Sequence, residues 1–240
     1  MFNLKDRRRQ PEIMDNPALT AAEHVEALRG LSRLNFVGNN PGLIWPALRE
    51  LSGNLSRTIR VLDIATGGGD VPLALAKRSR KAGLPMEFAG CDFSPLAIDY
   101  ARSQATERGL PVEFFEHNVL EQQLPGGYDA IICSLFFHHL SWEQAVGLLR
   151  RMTDACGKLI VVSDLNRTTG TMLLTWAASY LFSRSKVVHI DGPRSVQGAF
   201  NLPEARQLAA AAGLKDFQLR SAFPCRFLLT WRRKSYQPEA

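Results

Sequence analysis

Three segments of the chain carry residue types able to do chemistry. The first is Asp63-Ile-Ala-Thr-Gly-Gly-Gly-Asp70, an acid closing an apolar run, then small residues, then a second acid. Glycines let a backbone take positive φ and come close to a ligand. The second is Phe136-Phe137-His138-His139, just beyond another apolar run. A neutral imidazole there can remove an acceptor proton near pH 7. The third is Asp164-Leu165-Asn166-Arg167, ending a further apolar run, where Asp164 could orient a histidine or polarise an acceptor hydroxyl. Each has an ordinary structural alternative: a glycine turn, a histidine packed under a loop, a strand-end turn.

The glycine segment discriminates between ligands. GxGxxG fails in both registers, because Ala65-x-Gly67 leads to Asp70 and Gly67-x-Gly69 leads to Pro72. An acid opening the helix would also repel a pyrophosphate placed at its N-terminus. A ligand with a positive centre and no phosphate fits better, and S-adenosylmethionine has a sulfonium, an ammonium and one carboxylate. No metal is expected. Metal-dependent catechol chemistry would want a carboxylate after the run Tyr128 to Cys133, and Cys133-Ser134 supplies none.

The elements that must position these groups alternate. Ile59 to Ile64 reads as a strand buried on both faces. Asp70 to Ala82 reads as a helix stopped by Gly83, and Met86 to Cys91 as a second strand. Ser94-Pro95 supplies the N-cap and first-turn proline of a helix ending at Gly109. Val112 to Glu116 and Tyr128 to Cys133 are strands; Ser141-x-x-Gln144 caps a helix, and Lys158 to Ser163 is a fifth strand. Asn201-x-x-Glu204 opens an Ala-rich helix ending at Gly213. Phe217 to Ala222 and Arg226 to Trp231 then form a hairpin around Phe-Pro-Cys. The expected fold is α/β, a doubly wound, mostly parallel seven-stranded sheet with an antiparallel C-terminal edge strand. Ahead of it, Thr20-x-x-Glu23 opens a helix with Val25, Leu28, Leu31 and Leu34 on one side, and a second helix spans about Leu43 to Leu51.

These segments resemble the class I S-adenosylmethionine-dependent methyltransferases, in particular the ubiquinone/menaquinone-type small-molecule enzymes, over about Ile59 to Leu165. In that family's D/E-x-G-x-G-x-G turn, Asp63, Gly67 and Gly69 match and Ala65 replaces the first glycine. The resemblance implies S-adenosylmethionine as cofactor and S-adenosylhomocysteine as product, cradled by Asp63, Ala65, Thr66, Gly67 and Gly69. It implies ribose contacts from Asp92, beside Phe93. Asn118, beside Val119, stands where the family has an aspartate facing the adenine amino group. Cys133 and Ser134 would line the methionine end, and Arg33 would reach the cofactor carboxylate. The paired His138 and His139, with Asp164, resemble the catalytic groups of quinol and phenol methyltransferases. The expected acceptor is small and aromatic or lipophilic, methylated on a phenol, quinol or polyketide hydroxyl. Carbon methylation of a similar ring and RNA methylation are the alternatives.

Residues 1–55 then read as an arm and cap helices, and 56–240 as the methyltransferase domain. Within it, 168–200 reads as a lid insertion holding Met172, Leu173, Leu174, Trp176, Tyr180, Leu181 and Phe182 with His189, Asp191 and Arg194. The chain's 240 residues suffice for one such domain. Its 29 basic and 23 acidic residues give a net charge of +6. Only Arg7 to Arg9, Lys77 to Lys81 and Arg232 to Lys234 cluster, and these read as solvated faces or termini, so nucleic acid is disfavoured. The four scattered cysteines and the absence of a secretory apolar core suit a reducing cytoplasm. Thr171 to Phe182 is too short to span a bilayer, although peripheral membrane contact stays open.

Overall fold

The computed structural model describes residues 4–13, 20–183 and 185–234, without the side chains of Ala21, Leu34, Phe36 and Val37. Leu34, expected on the buried side of the first helix, therefore lies outside the described side chains.

Seven strands make one sheet: β1 (Ile59–Ile64), β2 (Met86–Asp92), β3 (Val112–Glu116), β4 (Tyr128–Ser134), β5 (Cys156–Leu165), β6 (Gln218–Ala222) and β7 (Arg226–Arg232). Their order is β3-β2-β1-β4-β5-β7-β6. β1 to β5 pair in parallel, whereas β7 runs antiparallel to both β5 and β6. The C-terminal hairpin thus supplies the expected antiparallel edge, with β7 on its inner side and β6 outermost. The central strands are near-continuous apolar runs because both faces are covered. On one face Val61, Ile132, Val161 and Leu228 pack with Ile44 and Leu48 of α2 (Asn40–Gly53) and Leu75 of α3 (Asp70–Ala82). On the other, Ile64, Ile131 and Val162 pack with Leu149 and Met152 of α5 (Trp142–Ala155) and Leu208 of α8 (Leu202–Ala211).

Helix starts follow the caps. Ser94 accepts from the Ala97 N–H ahead of α4 (Pro95–Arg108), and Ser141 and Asn201 form full capping boxes ahead of α5 and α8. Thr20 and Glu23 do the same ahead of α1 (Ala21–Val37). α2 begins at Asn40, earlier than expected, because Pro41 is accommodated in a first turn.

Sheet order reverses between β1 and β4, the switch point at which such sheets bind ligands. Register sets the strand ends level there: Ile64 lies opposite both Cys91 and Cys133, and Cys133 opposite Val162. The insertion after β5 forms two helices, α6 (Thr169–Phe182) and α7 (Lys186–Gly198), packed on each other and touching α1.

One expectation is corrected. Arg7 is no solvated terminus: its guanidinium donates to the carbonyls of His138, Leu140 and Gly198 and lies 3.7 Å from the Phe200 ring centroid. Burial lowers its pKa to about 10. The Arg8 N–H adds a bond to the Gln197 carbonyl, so the arm is strapped onto α7. Orphaned carbonyls at the ends of the His138 turn and of α7 attract the cation, which sequence clustering cannot reveal.

Candidate active site

The glycine turn is built for close approach. Ala65, Gly67 and Gly69 have φ of 51°, 53° and 73°. A Cβ on Gly69 would stand 2.6 Å from Phe114 Cζ, so glycine is required there twice over. Ala65 tolerates the left-handed region at a cost of roughly 1 kcal/mol. Asp63, at the end of β1, is buried; the Thr66 hydroxyl donates to its Oδ2 at 2.6 Å. Oδ1 has no partner among the described residues. Burial pushes the Asp63 carboxyl up to about 8; the Thr66 bond opposes this, and the charges of Asp70 and Asp92 add to it. An orphaned buried carboxyl oxygen suits an ammonium donor.

Asp92 ends β2 and ties the two loops together. Its Oδ2 accepts from the Gly67 N–H at 2.9 Å, its Oδ1 from the Ser94 N–H at 3.0 Å. Burial raises its pKa despite these bonds. Phe93 beside it is exposed, leaving a ring face for stacking. Asn118 Oδ1 accepts from the Leu120 N–H at 3.1 Å, which leaves one lone pair for an adenine amine, and Val119 is buried behind it. Cys133 is wholly buried, with a thiol pKa raised by desolvation; the buried Ser134 hydroxyl lacks a partner among the described residues.

The second half of the site stands over β4 and β5. A 3₁₀ turn (Phe137–His139) presents both histidines, with ring centroids 4.2 Å apart. His138 Nδ1 donates to Asp164 Oδ1 at 2.7 Å, and the His138 backbone N–H donates to Oδ2. Burial disfavours the His138 charge, but Asp164 and then Glu12 outweigh it, and the net direction is up. Asp164 answers: burial raises it, His138 lowers it more, and it sits below the usual carboxylate range. His139 is pushed down to about 3, first by burial and then by the His138 charge. Glu12, from the arm, places Oε1 3.6 Å from His138 Nε2 and Oε2 3.9 Å from His139 Nε2. The ligand atoms of these three residues lie within 4.8 Å of one another, close enough to gather around a cation.

One expected residue does not join the site. Arg33 is exposed on α1. It stands about 140° around the helix from Leu28, whose Cδ2 is 3.7 Å from where a Cβ on Gly68 would lie. The cation that does reach the sheet edge is Arg226, the first residue of β7, paired opposite Leu165. It is 5 % exposed; Nη2 donates to Asn35 at 3.2 Å, while Nε and Nη1 have no partner among the described residues. Desolvation lowers its pKa, opposed first by the charge of Asp164 and, more weakly, by Cys225 and Asp70. The sequence signal was an arginine opening an otherwise apolar strand, Arg-Phe-Leu-Leu. Glu12 was missed as well, because nothing in a basic arm marks the acid that folds inward.

Comparison with known proteins agrees with this fold. Residues 61–158 match the methyltransferase domain family. A demethylmenaquinone methyltransferase of Thermus thermophilus is 34% identical over 166 residues, 64% of this chain and 73% of that one. One from Deinococcus radiodurans is 31% identical over 134 residues, covering 55% and 53%. The S-adenosylmethionine-dependent methyltransferase SibL has the same fold at TM-score 0.65 and 19% identity, over 95% of this chain and 64% of its own. The chain therefore spans about half to three quarters of the proteins it resembles. It belongs to the class I S-adenosylmethionine-dependent methyltransferases, of the quinone-methyltransferase type.

Proposed function

We propose that the enzyme methylates a small aromatic or lipophilic acceptor at a phenol or quinol hydroxyl, with His138 as general base. The supporting observation is the His138–Asp164 pair, bonded at 2.7 Å at the sheet edge beside the glycine turn. Asp164 fixes the Nδ1–H tautomer, so Nε2 carries the lone pair that takes the acceptor proton. The imidazolium so formed is stabilised by Asp164 and by Glu12. His139, with its depressed basicity, packs beside it rather than competing for the proton.

Bound S-adenosylmethionine supplies the methyl group on a sulfonium. Around it, Asp63 Oδ1 is suited to the ammonium, Asp92 to the ribose hydroxyls, and the two unpartnered Arg226 nitrogens to the carboxylate. Displacement at carbon needs alignment and a dry site more than charge transfer to protein. In this reading the proton goes to His138 and no metal is needed. Residues 1–55 and 168–200 act as cap and lid over the acceptor. The Thermus and Deinococcus relatives are named for a quinone acceptor, which keeps methylation of a quinol ring carbon as a second reading with the same base.

The test is incubation of purified enzyme and methyl-labelled cofactor with a panel of phenols and reduced quinones, read by mass spectrometry. Label on an oxygen supports the first reading, and label on a ring carbon the second. Transfer to RNA alone would reject both.

A further inference from the structure

Helix α6 is amphipathic in the reverse sense for a helix lying on a water-soluble core. Its buried residues are Thr171, Met172 and Ser179. Its large apolar residues face outward: Leu173, Leu174, Tyr180 and Leu181 are 61%, 51%, 57% and 75% exposed. Positions 173, 174, 177, 180 and 181 fall on one stripe at helical spacing. Inward-facing hydroxyls are satisfied locally, Thr168 with Thr171 and Ser179 with the Trp176 carbonyl. The half-exposed Trp176 flanks the stripe, 5.4 Å from the Tyr180 ring centroid. Phe223, 86% exposed in the β6–β7 turn, is a further exposed apolar side chain, in a turn whose Cys225 packs against the cluster that contains Met172 of α6. Monomeric proteins seldom leave so contiguous an apolar face in water.

The charges beside this face select its partner. α6 holds no charged residue, and the only carboxylate of α7, Asp191, is buried and accepts from the Ile13 N–H. Lys186 is exposed at the start of α7. α1 meets the α6–α7 junction at Gly30, against Ser183 and Val188, and carries exposed Arg29 and Arg33 against exposed Glu26 and, further toward its N-terminus, Glu23. Among the described residues, exposed cations (Arg29, Arg33, Lys186) therefore outnumber exposed acids (Glu23, Glu26) on α1 and at the start of α7. A two-fold contact between copies would set this basic rim against itself. An anionic lipid surface complements it. With 14 residues, α6 is roughly 21 Å long, too short to cross a bilayer.

We propose that the outward face of α6 forms a docking surface for an anionic bilayer, with its aromatic rings at headgroup level and its leucines in the acyl boundary. Docking would set the two-helix insertion at the lipid surface, so that a lipophilic acceptor reaches His138 without crossing water. That consequence, unlike the docking itself, rests on the acceptor reading above.

The test is sedimentation of the full chain with phosphatidylcholine vesicles, with and without phosphatidylglycerol. We expect binding only with the anionic lipid, lost at high salt and reduced about tenfold by Leu173→Gln with Leu181→Gln. The double variant should keep wild-type S-adenosylhomocysteine affinity, which certifies its fold; Leu181→Gln alone serves if it does not. No binding, or equal binding to neutral vesicles, overturns the proposal. So does a dimer in light scattering that the double variant converts to monomer. Vesicle binding is scored without turnover, so a water-soluble acceptor would reject the acceptor reading and leave the docking result standing.

Discussion

The two halves of the proposed active site are assembled by different means. In the cofactor half, Asp63, Thr66, Gly67 and Asp92 are joined by short bonds between neighbouring strand ends. In the acceptor half, His138 meets Asp164 from β5, Glu12 from the arm and a wall from the insertion. The first half is a local motif with its geometry fixed by backbone. The second is a convergence of segments distant in sequence, and its electrostatics depend on the arm staying in place. Binding and chemistry should therefore be separable by mutation.

The largest effect is expected in the acceptor half. Asp164→Asn would keep the shape but release the histidine tautomer and the stabilising charge, lowering turnover by roughly 10²–10⁴. Calorimetry should find S-adenosylhomocysteine affinity nearly unchanged; equal losses in both would dissolve the comparison. Next comes Asp92→Ala, which removes a charged acceptor from the cofactor half and should weaken cofactor binding by about 2–4 kcal/mol. Turnover at saturating cofactor should hold.

Arg226→Gln sharpens the comparison within the cofactor half. It should weaken S-adenosylhomocysteine by about tenfold, the scale of one charged hydrogen-bonded contact. Methylthioadenosine, which lacks the amino-acid end, should bind as before. A parallel loss of both ligands would make Arg226 a purely structural cation between Asp70 and Asp164.

The smallest effect is a proton. Asp63, held up to about 8, is protonated at neutral pH in the free protein. An ammonium beside it favours the carboxylate, so binding below pH 8 should release up to about one proton, and affinity should rise with pH until about 8. Calorimetry in buffers of different ionisation enthalpy measures that release. For stability the sign is the reverse. Between an unfolded value of about 4 and the folded value, the folded state binds the extra proton, so this group's contribution falls as pH rises.

How much was legible follows the same division. The strands, caps and glycine turn could be read because each is written in contiguous residues: Ile59–Ile64 as a continuous apolar run, Ser141-x-x-Gln144 as a capping box. His138, His139 and Asp164 were legible as strand-end residues, but which histidine meets the acid depends on the 3₁₀ turn that aims Nδ1. Arg33 was expected where Arg226 stands, since a helix phase read from sequence does not show which face tertiary packing will turn outward. Glu12 and Arg7 belong to an arm whose contacts lie more than 120 residues away, and no local pattern encodes such pairings.

The central claim is that His138 does the chemistry without holding the cofactor. The direct measurement is His138→Ala, with turnover and S-adenosylhomocysteine affinity determined on one preparation across pH. Turnover should fall by roughly 10²–10⁴ and recover partly at high pH with a phenolic acceptor, where hydroxide makes the phenolate. Affinity should stay at the wild-type value. Near wild-type turnover in that variant would contradict the account and move the base to another residue.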